Sequence, residues 1–431
     1  MIKTCNLEIF HNNKWHLAAN VELYSPIKER KGFNAPTFLS YEQDYAVSWF
    51  NAKGLEALSC NFPVNLETVD LKTWPAFLLD IVPSGQARRY WEDKIIPDQD
   101  SNIDWELLLI GAGNPPGNIR VKEAASSFDQ TGLHLGFSRE EIIEKKEDFL
   151  EYALAHGAPV TGSTGAQGDS VKFLLTEDHD ERWHADGALP DTKAKKHWII
   201  KFARGHTAAD KLILRSEPAY LAVAKLFGIR TGELPKHEDG ALFIPRFDRI
   251  VENAEVKRIG LESLCSLAGI SEFGARIRHE RICEAIVRHC TEPVIEIKEY
   301  IRRDILNLAL KNTDNHARNQ AVCKYPDGLI ALSPHYDFAP MFLDPEGIIR
   351  VCRWEAEQLG IPDWNKIAKI IQTLTQLSTI EIKSFFKETN HSLIELSEIL
   401  KDVGIEQELI KHLVLNISEL QLSLAGWIDG I

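Results

Sequence analysis

The stretch Asn312-Thr313-Asp314-Asn315-His316-Ala317-Arg318-Asn319, with Tyr336-Asp337-Phe338 a short way on, decides how the rest of the chain is read. It follows a helical pattern built on Ile301, Ile305 and Leu308. A polar run at a helix end is by itself an ordinary solvated cap. The continuation lifts it above that. Two short strands span Gln320 to Tyr336 and turn at Pro326-Asp327-Gly328, and an aspartate follows at once. One loop therefore carries a carboxylate and an amide five positions apart, Asp314 and Asn319, and a hairpin returns a second carboxylate, Asp337.

Protein kinases space a catalytic Asp, an Asn five positions later, a hairpin and an Asp-Phe pair in this way. Phosphoryl transfer asks for positioning and for neutralisation of phosphate charge. Asp314 is the candidate to orient an attacking hydroxyl and take its proton. Asn319 and Asp337 are the candidate Mg²⁺ ligands, since Mg²⁺ prefers one or two carboxylates with phosphate oxygens and water. His316 is read two ways: it orients Asp314 or the transferring phosphate, or it is a hydrogen-bonded structural histidine.

Upstream lie the other parts such a site needs. Lys201 sits in the apolar strand Trp198-Ile199-Ile200-Lys201-Phe202, where a kinase places the lysine that holds ATP phosphates. Glu217, on a helix expected from about Ser216 to Phe227, is its natural partner, although Asp210 and Arg215 compete for that pairing. The small, polar run Thr161 to Ser170 precedes a strand from Val171 to Leu175. Its Gly165, Ala166 and Gln167 would let backbone N–H groups approach a phosphate closely. Alone, this loop reads first as a flexible linker.

The wider pattern divides the chain into a strand-rich subdomain at 1–135, a β-rich nucleotide-binding lobe at 136–248 and a helical catalytic lobe at 249–431. Arg139 to about His156 reads as one helix, Ala241 to Phe247 as a strand, and the chain after 360 as four helical patterns. Gly111, Gly113 and Gly117 resemble a dinucleotide fingerprint, but the third glycine comes one residue late and two prolines stand where a helix would begin, so a loop is expected. The fold class is α+β, an atypical two-lobed protein-kinase-like fold.

Composition narrows the function. The 431 residues carry 49 basic and 63 acidic side chains, a net charge of −14, which disfavours nucleic-acid binding by bulk charge. The longest apolar run, Ala76 to Val82, is interrupted by Asp80 and far short of a membrane span. Met1 to Glu8 has no signal-peptide core, so a cytoplasmic protein without membrane contact is expected. The seven cysteines form no Cys-x-x-Cys pair and read as reduced thiols. His279, Cys283, His289 and Cys290 could be drawn as a metal cluster; the helical spacing around Ile282 and Ile286 makes core packing the preferred reading.

Taken in order, these motifs resemble the HipA family of bacterial toxin kinases of type II toxin–antitoxin systems. The resemblance rests on Ser163-Thr164-Gly165-Ala166-Gln167, Ile199-Ile200-Lys201, Arg246-Phe247-Asp248-Arg249, Asn312-x-Asp314-x-His316-x-x-Asn319 and Tyr336-Asp337. Phe77-Leu78-Leu79-Asp80-Ile81-Val82-Pro83-Ser84-Gly85 and Leu107-Leu108-Leu109-Ile110-Gly111 extend it to the first subdomain. It implies an ATP- and Mg²⁺-dependent serine/threonine protein kinase with Asp314 catalytic, Asn319 and Asp337 on the metal, Lys201 on the phosphates and the backbone from Pro245 to Phe247 as the adenine hinge. It also implies a translation component such as an aminoacyl-tRNA synthetase as substrate, and a HipB-like helix-turn-helix antitoxin as partner, through which DNA is reached.

Two departures stand out. The family often has a lysine soon after the Gly-Ala stretch; here Gly168-Asp169-Ser170 intervene and Lys172 is nearest. An acid at 169 beside an ATP phosphate would repel it. Gly162 stands where one branch has an autophosphorylated serine, which leaves Ser163 and Thr164 as adjacent candidates. Two rivals remain. The Asp-x-His-x-x-Asn spacing also suits lipid or small-molecule kinases, although the sequence has no dense basic run for a membrane face. A pseudokinase acting as a corepressor binding module is the non-enzyme alternative.

Overall fold

The computed structural model describes residues 3–24, 32–95, 102–128, 134–156, 159–160, 171–358 and 360–430. The chain forms two compact units that are not continuous in sequence. The first comprises 1–205, 236–274 and 323–329; the second comprises 206–235, 275–322 and 330–431.

The first unit holds two antiparallel sheets. β1 (Lys3–His11), β2 (Lys14–Leu23), β3 (Thr37–Tyr41), β4 (Val69–Leu71) and β5 (Ile119–Val121) lie in the order β4-β3-β2-β1-β5. Alternation buries Cys5, Leu7 and Ile9 of β1 on one face, against Trp74, Leu78, Trp105 and Leu108. The run Ala76 to Val82 is thus core, folded as a helical turn at Leu78–Ile81. The strand-rich segment expected at 1–135 also contains helices at Gly85–Glu92, Ile103–Gly111 and Lys122–Phe128.

The second sheet is built from β6 (Pro159–Val160), β7 (Lys172–Asp178), β8 (Trp183–Ala185), β9 (Ala194–Phe202), β10 (Lys236–Glu238) and β11 (Ala241–Pro245). Its order is β10-β11-β9-β7-β6, with β8 on β7. Phe173, Leu175, Trp183, Ile200, Phe202 and Phe243 fill its core with Phe149. The helix expected over 139–156 is two helices, Arg139–Ile143 and Glu147–Ala155, because Lys145 adopts a left-handed conformation (φ 52°) that no continuous helix accommodates.

The second unit is helical. α1 (Ala208–Leu226) begins eight residues before the expected Ser216. Its start is set by a capping box: Thr207 Oγ1 accepts from the Asp210 N–H, and the Asp210 carboxylate accepts from the Thr207 N–H. α2 (His279–His289) and α3 (Pro293–Ala309) follow. Cys283 and Cys290 are buried, and burial pushes both thiols up, as core residues. After residue 360 the described residues form three helices, not four: α4 (Trp364–Thr375), α5 (Thr379–Asp402) and α6 (Gln407–Asp429). The polar run Lys387 to His391 interrupts the apolar spacing of α5 without breaking its backbone. No helix among the described residues is long and apolar enough to cross a membrane.

Candidate active site

In the second unit, α3 ends at Ala309, and the left-handed backbone of Lys311 (φ 53°) turns the chain away two residues later. Asn312 then folds back. Its N–H donates to the Asn307 carbonyl at 3.0 Å and its side-chain amide to Asn307 Oδ1 at 2.9 Å. The loop that follows is closed from within. Asn319 Nδ2 donates to the Asp314 carbonyl at 3.0 Å, and the Asn319 N–H donates to the His316 carbonyl at 2.9 Å. His316 Nε2 lies 3.3 Å from Asp314 Oδ1. Asp314, His316 and Asn319 are therefore brought together on one turn, and the imidazole accompanies the carboxylate.

The hairpin of Ala321–Lys324 and Ile330–Leu332 has the turn read from the sequence, with the Gly328 N–H on the Tyr325 carbonyl at 3.0 Å and φ 87° at Gly328. The chain leaves it into Asp337, also left-handed (φ 54°). Tyr336 Oη donates to the Arg318 carbonyl at 3.1 Å, so the residues preceding Asp337 and Asn319 are bonded to each other. Phe338 is buried and packs edge-on against Tyr220 of α1, ring centroids 5.3 Å apart. His335, buried beside it, is held well below the usual histidine range by burial and by the Arg303 charge, with Asp337 pulling the other way. Glu217 is buried on α1, 1% exposed.

In the first unit, Lys201 lies on β9 opposite Leu242 of β11 and Lys172 of β7, and is 7% exposed. Pro245 ends β11 opposite Trp198, two residues short of the expected strand end at Phe247. The strand stops there because the next residues enter a buried charge cluster. Arg246 binds Asp248 through Nε at 2.9 Å and Nη2 at 2.7 Å, and Asp186 through Nη1 at 2.5 Å. His197 Nδ1 lies 2.8 Å from Asp186 Oδ1, which also accepts from Thr176 Oγ1 at 2.8 Å. The Gly117 N–H donates to Asp248 Oδ2 at 2.8 Å.

Burial alone would raise both carboxyls, but Arg246 leads the charges that hold Asp248 and Asp186 far below the usual range. Arg249, buried beside Arg246, is lowered to about 9. The Arg246-Phe247-Asp248-Arg249 motif thus supplies much of a buried clasp behind Pro245 and Phe247. Gly117 serves that clasp with φ 87°, and an added Cβ would stand 3.1 Å from the Leu261 N. Its role is this turn, as the rejection of the dinucleotide fingerprint anticipates. Ser163, Thr164, Gly165, Ala166, Gln167 and Asp169 lie outside the described residues.

Reading the sequence missed Asp186, His197 and Asn315. The first two are far from Arg246 along the chain; the signal was a doubled Arg-Asp charge motif following an apolar strand.

A mixed helix-and-sheet chain with these elements is an α+β protein. The HipA-like C-terminal domain matches residues 163–397, more than half of the chain, and the protein belongs to the HipA family. A solved HipA of Shewanella oneidensis MR-1, in complex with HipB and its operator DNA, is similar over 99% of this chain and 98% of that one, with 17% identity and a TM-score of 0.66. The fold is therefore that of HipA over nearly the whole chain. A curated relative, "Putative kinase Y4dM" of Sinorhizobium fredii (strain NBRC 101917 / NGR234), is 21% identical over 281 residues. That match spans 61% of this chain and 61% of the relative's length. A solved Helicobacter pylori proinflammatory kinase, CtkA, aligns over 62% of this chain and 92% of its own with 12% identity, at a TM-score of 0.38.

Proposed function

We propose that this protein is an ATP- and Mg²⁺-dependent serine/threonine protein kinase acting as a HipA-like toxin. The observation that carries the reading is the bond from Asn319 Nδ2 to the Asp314 carbonyl at 3.0 Å. It holds a carboxylate and an amide on one turn, with His316 alongside, as a loop that both takes a proton and binds a cation requires.

In this reading Asp314 orients the acceptor hydroxyl and takes its proton, and His316 restrains the Asp314 carboxylate. Asn319 and Asp337 offer oxygen donors, with no nitrogen or sulfur ligand between them, which suits Mg²⁺. The bound ion would neutralise charge on the transferring phosphate. Lys201 and Glu217 would serve ATP binding. The backbone from Pro245 to Phe247 would face the adenine, stiffened by the Arg246 clasp, and Gly165, Ala166 and Gln167 would cover the phosphates. Phosphorylation of Ser163 or Thr164 would add about −2 charge where those phosphates bind, which would switch the site off.

The substrate would be a protein of the translation machinery, such as an aminoacyl-tRNA synthetase. The partner would be a helix-turn-helix antitoxin like the HipB bound by the Shewanella protein. A chain of net charge −14 would then reach DNA through that partner, and would work in the cytoplasm.

Intact mass spectrometry after incubation with ATP and Mg²⁺ tests the reading. The wild type should gain phosphate and Asp314→Asn should not. ATP binding without transfer, to the chain or to added protein substrate, would turn the assignment to a pseudokinase. Transfer to a lipid or small molecule alone would turn it to the other phosphotransferases.

A further inference from the structure

Asn315 stands between Asp314 and His316, yet its side chain is engaged elsewhere. It is 4% exposed. Its Oδ1 accepts from the Val351 N–H at 3.0 Å and from the Cys352 N–H at 3.2 Å, and its Nδ2 donates to the Cys352 carbonyl at 2.8 Å. One amide thus serves as partner to the backbone of residues 351 and 352. Both its ends are used, so neither a carboxylate nor an apolar side chain can replace it in full.

The segment it grips is itself anchored. The His279 N–H, at the start of α2, donates to the Arg353 carbonyl at 3.1 Å. Trp354 Nε1 donates to Asp304 Oδ2 on α3 at 2.8 Å. Arg350 Nη2 reaches Asp304 Oδ1 on the same helix at 3.5 Å. The loop is therefore pinned at three points by three asparagines: Asn312 to α3, Asn315 to the 351–352 backbone, and Asn319 to its own start. Of these three, the middle pin reaches furthest along the chain, 37 positions to Cys352.

We infer that Asn315 is a positioning residue, which holds the loop carrying Asp314 and His316 on the 351–352 backbone in the geometry needed for transfer. This rests on the reading of Asp314 given above. Displacing a catalytic group by about 1 Å can cost ~100-fold in rate. Losing the amide should therefore act on turnover, not on nucleotide binding.

The experiment compares the full-length wild type with Asn315→Ala and Asn315→Asp. It reads the rate of phosphate incorporation against ATP concentration, and deuterium exchange in peptides covering 312–320 and 349–354. For Asn315→Ala, the maximal rate should fall about 100-fold with half-saturating ATP within about twofold of wild type. Exchange at the Val351 and Cys352 amides should rise. Asn315→Asp keeps both acceptor bonds and loses one donor, so it should lie between, with those amides still protected. A maximal rate within about twofold of wild type in Asn315→Ala overturns the inference. So does unchanged exchange at Val351 and Cys352, or a loss carried by the ATP requirement. A wild type that transfers no phosphate overturns the kinase reading instead, and the exchange measurement then decides alone whether Asn315 holds the loop. Should Asn315→Ala fail to fold, Asn315→Asp is read by its maximal rate alone, and a rate within about twofold of wild type then overturns the inference.

Discussion

The Tyr336 hydroxyl donates a 3.1 Å hydrogen bond to the Arg318 carbonyl, and so joins the residue before Asp337 to the residue before Asn319. The two proposed Mg²⁺ ligands come from separate stretches of chain, one ending the loop and one leaving the hairpin. Their relative placement depends on whatever links those stretches directly. Tyr336→Phe deletes the O–H and keeps the ring. A lost hydrogen bond of this kind is worth ~1 kcal/mol, or about fivefold in an equilibrium. The Mg²⁺ concentration giving half-maximal phosphate transfer should rise by about that factor, with the maximal rate at saturating Mg²⁺ largely retained. A Mg²⁺ titration identical to wild type would show that the phenol does not set the ligand geometry.

Lys201 lies on β9, flanked in register by β7 and β11. Burying a lysine is costly unless its charge is used, and an anionic ligand is one such use. Lys201→Met keeps the apolar stem and removes the ammonium. ATP affinity by calorimetry should fall about tenfold or more, as expected for a lost charge-assisted contact, while the melting temperature stays close to wild type. Undiminished ATP binding would remove Lys201 from the phosphate site.

What the sequence disclosed, and what it hid, follows from how far each contact reaches along the chain. Asn319 bonds Asp314 five positions back, and Asn312 bonds Asn307 five positions back. The turn at Gly328 is equally local. Spacing and turn chemistry report such contacts directly, so the loop, the hairpin and Asp337 were legible. Asn315 reaches 37 positions to Cys352, and Arg246 reaches 60 to Asp186. No local periodicity encodes either, and each polar residue read alone looks like solvated surface. The start of α1 was hidden for a different reason. The capping box at Thr207 and Asp210 sets it, whereas the apolar spacing that was read begins further along. The split at Lys145 is a backbone conformation, which spacing of apolar residues does not report.

Arg246 is the centre of the clasp behind Pro245 and Phe247, bonded to Asp248 and Asp186 with no solvent exposure of its side chain. Removing one member of a buried ionic network leaves uncompensated charge, which costs about 3–5 kcal/mol. Arg246→Ala should lose about that much in urea unfolding. Arg246→Lys should lose less but still measurably, since an ammonium cannot grip one carboxylate through two nitrogens while reaching another. A change below about 1 kcal/mol in Arg246→Ala would mean the neighbouring Arg249 compensates fully.

His11, on β1, gives the stability of the first unit a pH dependence. It is 3% exposed and stacks on His16, ring centroids 4.0 Å apart and nearly parallel. Tyr45 donates its proton to the Glu56 carbonyl at 2.7 Å, so its oxygen accepts from His11 Nε2 at 3.2 Å. His11 Nδ1 is buried with no hydrogen-bond partner among the described residues, so a second proton there would have no acceptor. Burial first, then the charges of His16 and Lys14, lower His11 from 6.5 to about 4. Between those values the unfolded chain binds a proton that the folded chain refuses. The neutral ring therefore costs nothing above pH ~6.5, and stability falls as the pH drops from there toward ~4. Between pH 7 and pH 5 the loss from this group should be roughly 1–2 kcal/mol. Urea unfolding at the two pH values reads it. In His11→Phe the drop between them should shrink by that amount, whatever the variant's stability at pH 7. An equal drop in both proteins would place the acid sensitivity elsewhere.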